Sequence, residues 1–206
     1  MKRLGIPVVY YVAPQLWAWR PGRIATMKQF VDKVLVIFPF EPPLYERAGI
    51  PVVFVGHPLI ELIGEPRPRA ELLTQYGLKP DAPMVAVLPG SRPSELHHHT
   101  AVLLAALPLI SAQVPGVQFV LARAPGIPDD LLAPFRGRGD LIVAHDRTDD
   151  VLSAADIVIT ASGTATVQAT LHGRPMVVVY RVSALTYRLG KRSEEHTSEL
   201  QSRFGI

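Results

Sequence analysis

The sequence predicts an α/β protein built on parallel sheets, and three observations carry that prediction. Short β-branched or aromatic runs alternate with stretches of helical spacing along nearly the whole chain. Several of those runs, such as 84–88 and 176–180, are almost continuously apolar, as strands covered on both faces are. Turn residues separate the runs, with Pro 20 and Gly 15 among 206 residues. That length suits one α/β domain plus part of another.

The elements follow in order. Residues 8–12, 34–38 and 52–55 read as strands, with helices over 23–30 and 41–48 between them. Gly49 and Pro51 close the second helix, because glycine suits a helix C-terminus and proline cannot continue one. Residues 1–56 therefore form a βαβαβ series and part of a domain. Gly64, Pro66 and Pro68 mark a hinge over 57–68. A second series fills 69–191. It runs helix 71–76, strand 84–88, long helix 94–113 with Pro108 as a kink point, strand 117–121 and helix 129–135. Strand 141–143, helix 149–155, strand 156–160, helix 163–172 and strand 176–180 complete it. Residues 192–206 break every earlier pattern and resemble translated sequencing adapter, so a non-native tail is expected there.

Composition removes several classes. Hydrophobic residues make up 48% and charged residues 19%, which excludes a disordered chain. Cys 0 excludes disulfides and thiolate metal sites. No secretory signal is expected, because Met1, Lys2 and Arg3 lead straight into a strand-like run. The uncharged stretch 100–122 has the length of a membrane span, but Pro108, Pro115 and Gly116 divide it. A net charge of +3 is too small to argue for nucleic acid, which leaves an anionic ligand or a membrane surface.

Two turns suggest phosphate chemistry. The run 88–96 follows a buried strand and opens a long helix. Gly90 allows close backbone approach, Ser91 offers a hydroxyl and an N–H, and Arg92 offers a forked cation. The helix N-terminus adds its positive dipole end. Glu95 either holds the Arg92 guanidinium or caps the helix. An ordinary tight turn is the bland alternative. The run 160–168 is a second such turn, where Ser162, Gly163 and Thr164 present N–H groups and hydroxyls; by itself it is also an ordinary N-cap. Both turns follow strands, where open α/β sheets bind ligands.

The remaining candidates carry two readings each. The loop 145–149 either contacts a nucleobase or caps the next helix. His97, His98 and His99 look like a metal tract, but consecutive helical residues point about 100° apart, so a solvated helix face is expected. Trp17 and Trp19 are either core or an apolar surface for a lipid-like substrate. His57, in the Gly-His-Pro-Leu run at 56–59, is either a ligand contact at a domain junction or a hinge residue.

The runs 11–20 (Tyr-Val-Ala-Pro-Gln-Leu-Trp-Ala-Trp-Arg), 38–41 (Phe-Pro-Phe-Glu), 54–59, 88–92, 161–166 and 175–181 together resemble lipid-A-disaccharide synthases, in that family's order and over nearly all of 1–191. The Trp-Ala-Trp and Gly-His-Pro-Leu segments are far more specific than the glycine turns. The resemblance implies a GT-B fold of two Rossmann-like domains, the first incomplete. It implies an inverting glycosyltransferase of family 19 that uses no metal or other cofactor. UDP-2,3-diacylglucosamine and 2,3-diacylglucosamine 1-phosphate would give the β-1,6-linked lipid A disaccharide 1-phosphate and UDP. The implied place is the cytoplasmic face of the Gram-negative inner membrane, as a peripheral protein and, at full length, a homodimer.

By the same resemblance Gly90, Ser91 and Arg92 match the phosphate-side turn, and Ser162, Gly163 and Thr164 the second nucleotide-binding turn; Glu95 and Gln168 are expected to join them at the UDP site. Trp17, Trp19 and Arg20 lie on the acceptor and lipid side. Position 168 is usually Glu in the family; Gln168 keeps one acceptor oxygen without the charge. The family starts about a hundred residues earlier, with an Asp-containing segment thought to supply the general base, and continues past Arg181. Within this sequence His57 is the candidate base, and the fragment is expected to bind UDP without turnover. The competing readings are another UDP-sugar enzyme, such as a UDP-N-acetylglucosamine 2-epimerase or a glycolipid transferase, and a nucleotide-binding fragment.

Overall fold

The computed structural model describes residues 4–14, 22–65, 67–145 and 147–181. They fall into two compact units that divide between Leu62 and Ile63.

The first unit runs β1 (Val9–Tyr11), α1 (Gly22–Met27), β2 (Lys33–Val36), α2 (Pro42–Arg47), β3 (Val52–Phe54) and α3 (Leu59–Leu62). Its strands pair in parallel in the order β1-β2-β3. Val34 and Val36 of β2 pack with Ile24, Met27, Tyr45 and Ile50 into a small core. The chain after β2 is held by Glu41, which is buried and whose Oε2 accepts from the N–H groups of Ile37 (3.2 Å) and Phe38 (2.9 Å). Tyr45, one turn further on, donates to the Pro14 carbonyl at 3.0 Å. Burial, reinforced by the Glu41 charge, pushes its phenol up to about 12. A single helical turn, α3, sits inside the stretch read from sequence as a hinge.

The second unit runs α4 (Arg69–Gln75), β4 (Met84–Leu88), α5 (Pro93–Gln113), β5 (Gln118–Arg123), a 3₁₀ helix (Asp129–Phe135), β6 (Leu141–His145), α6 (Thr148–Ala154), β7 (Ile157–Ala161), α7 (Thr164–Leu171) and β8 (Met176–Val179). All strand pairs are parallel, in the order β6-β5-β4-β7-β8. Alternate residues face opposite sides, so β4 splits between two cores. Met84, Ala86 and Leu88 join Leu72 and Leu73 of α4, Val151 and Leu152 of α6 and Ala169 of α7. Val85 and Val87 join Leu96, Leu103 and Leu107 of α5 and Leu132 and Phe135 of the 3₁₀ helix. This two-sided burial is why the strand reads as a continuous apolar run.

Two local differences from the sequence reading have physical causes. Segment 129–135 is 3₁₀ rather than α, because it contains Pro134, which lacks an N–H and would clash with the carbonyl four residues earlier in an α-helix. The 21-residue helix α5 runs unbroken through Pro108. Leu103 and Leu107, both before Pro108, are buried in the second core and anchor the helix as it enters that residue.

Candidate functional site

Strands β4 and β7 are neighbours, with Leu88 opposite Thr160, so the turns that follow them emerge side by side. After β4 the chain adds β5 and β6 on one side, then crosses to place β7 and β8 on the other. That reversal opens a crevice beyond the carboxyl ends of the strands, where open α/β sheets take ligands. A cleft of about 340 Å³ lies there. Gly90, Ser91 and Glu95 line it from the first turn, and Ser162, Gly163, Thr164 and Gln168 from the second. Ala124 and Pro125 after β5, and Thr148 and Asp149 of α6, complete the wall.

The first turn is organised by Glu95. Its Oε2 accepts from the Ser91 N–H (2.8 Å) and the Arg92 N–H (3.3 Å), and its Oε1 accepts from Arg92 Nη1 (2.7 Å). Both roles read for Glu95 in the sequence, cap and guanidinium partner, therefore operate at once. Its side chain folds over Gly90: a Cβ there would lie 2.6 Å from both Glu95 Cβ and Oε2. Gly90 also has φ +135°, a conformation glycine adopts freely. The space freed by Gly90 is thus filled by a carboxylate that occupies two anion-seeking N–H groups.

The second turn uses Gly163, with φ +149°, as the entry to α7. Thr166 Oγ1 donates to the Gly163 carbonyl at 2.7 Å, which fixes the first helical turn. Gln168 lies one turn inside α7 and faces the cleft. Asp149 also lines the cleft, and its Oδ1 lies 3.1 Å from Nε2 of the largely buried His172, which caps the C-terminus of α7. Backbone donors at two helix N-termini therefore face a cavity that also holds the carboxylates of Glu95 and Asp149.

The other sequence candidates are distributed as follows. Arg92 sits at the entrance to α5 but outside the cleft lining, with a 74% exposed side chain paired to Glu95. His57 belongs to the first unit, in a separate pocket with Tyr11, Val55, Pro58 and Ile60. Its Nδ1 accepts from the Leu59 N–H at 3.2 Å, and its ring lies 5.7 Å from that of Phe38. Trp17, Trp19, Arg20 and the tail 192–206 lie outside the described residues. Among the described residues of the 145–149 loop, Thr148 and Asp149 line the cleft, and His145 Nδ1 meets Arg123 Nη1 at 2.9 Å instead.

One expectation is corrected. His97 and His98 are exposed, but His99 is 1% exposed and does not belong to a solvated face. It lies three residues after Leu96 and four before Leu103, on the buried stripe of α5. That spacing was the available signal, and it outweighs the polarity of the side chain. Sequence reasoning also missed Ala124 and Pro125, although the Ala-Pro-Gly turn after β5 marks the third loop of the same rim.

A family model described as lipid-A-disaccharide synthetase matches residues 1–193. The lipid-A-disaccharide synthase of Geobacter metallireducens is 44% identical over 193 residues, 93% of this chain and 50% of that protein. The Coxiella burnetii synthase is 41% identical over 191 residues, again 93% and 50%. The chain spans about half the length of the curated relatives it matches. Among solved structures, Anabaena HepE in complex with UDP-glucose aligns with TM-score 0.50 and 20% identity, over 87% of this chain and 55% of that one. A putative UDP-N-acetylglucosamine 2-epimerase from Listeria monocytogenes aligns with TM-score 0.55 and 15% identity, over 77% and 44%. These likenesses place the fold in the α/β GT-B class of Rossmann-like units.

Proposed function

The chain belongs to the lipid-A-disaccharide synthetase family, and on that premise we propose that its second unit binds the nucleotide of a UDP-sugar in the cleft between the β4 and β7 turns. The reaction is an inverting transfer. The 6-hydroxyl of 2,3-diacylglucosamine 1-phosphate attacks the anomeric carbon of UDP-2,3-diacylglucosamine, and UDP leaves to give the lipid A disaccharide 1-phosphate. The observation that carries this reading is the pairing of two helix N-termini on one cleft at the point where the strand order reverses.

The leaving UDP gathers negative charge as the glycosidic bond breaks, so the site must supply preorganised donors. The Ser91 and Arg92 N–H groups, the Arg92 guanidinium, and the α5 and α7 termini are those donors. A diphosphate oxygen competes with the Glu95 carboxylate for the first three. Gln168 faces the ribose. In this reading 1–56 form the acceptor-side unit, 57–68 the hinge and 69–191 the nucleotide-sugar unit. The exposed Tyr11, Val55 and Ile60 around the His57 pocket suit an acylated sugar presented at the inner-membrane surface. No helix among the described residues is long and apolar enough to cross a membrane, which fits a peripheral protein.

Competition calorimetry tests the reading. UDP bound to the purified chain should be displaced more effectively by UDP-2,3-diacylglucosamine than by UDP-N-acetylglucosamine. Preference for the N-acetyl sugar would favour another UDP-sugar enzyme, and absence of UDP binding would refute the nucleotide site.

A further inference from the structure

His99 is the one side chain on the buried stripe of α5 that is not hydrocarbon, and both its ring nitrogens meet backbone groups. Nδ1 lies 2.8 Å from the carbonyl of Pro89, and Nε2 accepts from the N–H of Arg181 at 3.2 Å. An amide N–H can only donate and a carbonyl can only accept. The ring is therefore neutral, with its proton on Nδ1. Pro89 opens the first cleft turn, and Arg181 follows β8 at the end of the 175–181 run. One imidazole ties the two together across the rim of the sheet, with Tyr180 beside it at 6.5 Å between ring centroids.

The consequence for the site runs through a single peptide unit. The Pro89 carbonyl and the Gly90 N–H belong to the same trans peptide and point in opposite directions. Fixing the carbonyl fixes the plane of that peptide, and with it the entry to Gly90, Ser91 and Arg92. Gly90 has unusual rotational freedom, so the turn needs such a tether to hold its N–H groups in one arrangement.

We propose that His99, as the neutral Nδ1–H tautomer, is a positioning residue for the diphosphate-side turn: it orients the Pro89–Gly90 peptide and couples that turn to the segment after β8. This rests on the nucleotide reading above. His99 touches neither nucleotide nor sugar; it acts through Pro89.

Two conservative variants separate its two bonds. The Asn Nδ2 sits where imidazole Nδ1 does, so His99→Asn keeps the donation to Pro89 and loses the Arg181 contact. The Gln Oε1 sits near imidazole Nε2, so His99→Gln keeps the Arg181 contact and loses Pro89. Calorimetry with UDP and with uridine on the full chain reads the difference. We expect His99→Gln to weaken UDP about tenfold with uridine unchanged, as loss of one orienting bond to a buried group implies. His99→Asn should recover most of that loss, although both variants lower the melting temperature. Equal UDP-to-uridine affinity ratios in wild type and both variants would overturn the proposal while leaving the nucleotide site standing. Failure of wild type to bind UDP would overturn both. Imidazole nitrogen NMR on the wild type gives a test that needs no variant to fold. A neutral ring protonated at Nδ1, whose signals and the Gly90 amide move together with UDP but not uridine, is the expected result. A ring protonated at Nε2, or one indifferent to UDP, would overturn the assignment.

Discussion

Gly90→Ala probes the contact on which the first turn depends. The added Cβ would sit 2.6 Å from Glu95 Cβ and 2.6 Å from Glu95 Oε2, where real Cβ atoms are not found. Glu95 Cβ is fixed by the α5 backbone, so the side chain cannot simply rotate away. The start of the helix or the turn must move, and the Ser91 and Arg92 bonds to the carboxylate go with it. Holding an alanine at φ +135° adds strain of about 1–3 kcal/mol. Losing the partly exposed carboxylate contacts adds roughly 1–2 kcal/mol. The total is about 2–5 kcal/mol. Native-state amide exchange at Val87, in the central strand of the second sheet, measures it. The control is the same substitution in a Glu95→Gly background, which removes both the Cβ and the carboxylate. There Gly90→Ala should cost only the backbone strain, so the cycle should show a coupling of about 1–2 kcal/mol. Equal costs in the two backgrounds would show that Glu95 does not fill the space at Gly90.

The remaining expectations concern binding and acid stability. Arg92→Ala should weaken UDP toward the lower end of the roughly 1.5–3 kcal/mol of a charged contact, because its guanidinium is exposed and shared with Glu95. Arg92→Lys should restore that only in part, since a point charge lacks the fork; calorimetry finding equal affinities for all three proteins would remove Arg92 from the site. Gln168→Glu should leave UDP affinity unchanged or raise it, because a carboxylate accepts more strongly from ribose hydroxyls; a large loss would assign Gln168 to packing. The Arg138 guanidinium holds the Asp140 carboxyl below its usual range through two bonds of 3.0 and 2.8 Å. A depressed native value means stability that is present at neutral pH and lost as pH falls through that value. Asp140→Asn should therefore cost up to about 1 kcal/mol at pH 7, and chemical unfolding should show the gap closing in acid.

How far the sequence could be read depended on what each element buries. Residues 84–88 were legible residue for residue, because a strand covered on both faces leaves an uninterrupted apolar run. Helix α1 was read to residue 30 but ends at Met27, where the N–H groups of Gln29 and Phe30 turn back to carbonyls three residues earlier. The single turn α3 is too short to show a period, so only the prolines around it were visible. The two cleft turns stood out by their small residues after a strand. Their adjacency did not, since it follows from the crossover that sets β7 against β4. Glu95 was legible as a partner of the turn, but its position over Gly90 is a matter of side-chain packing. His99 was misread because its residue type was weighed above its place three residues from Leu96 and four from Leu103.

The central claim is that UDP binds the second unit between the turns after β4 and β7. Backbone amide NMR of the full chain during a UDP titration tests it most directly. Saturable shifts concentrated at Gly90, Ser91, Gly163, Thr164 and Gln168 are the predicted result. Uridine should move the Gln168 side of the cleft and leave Gly90 and Ser91 nearly still. Shifts confined to the first unit, or a titration without saturation, would contradict the claim.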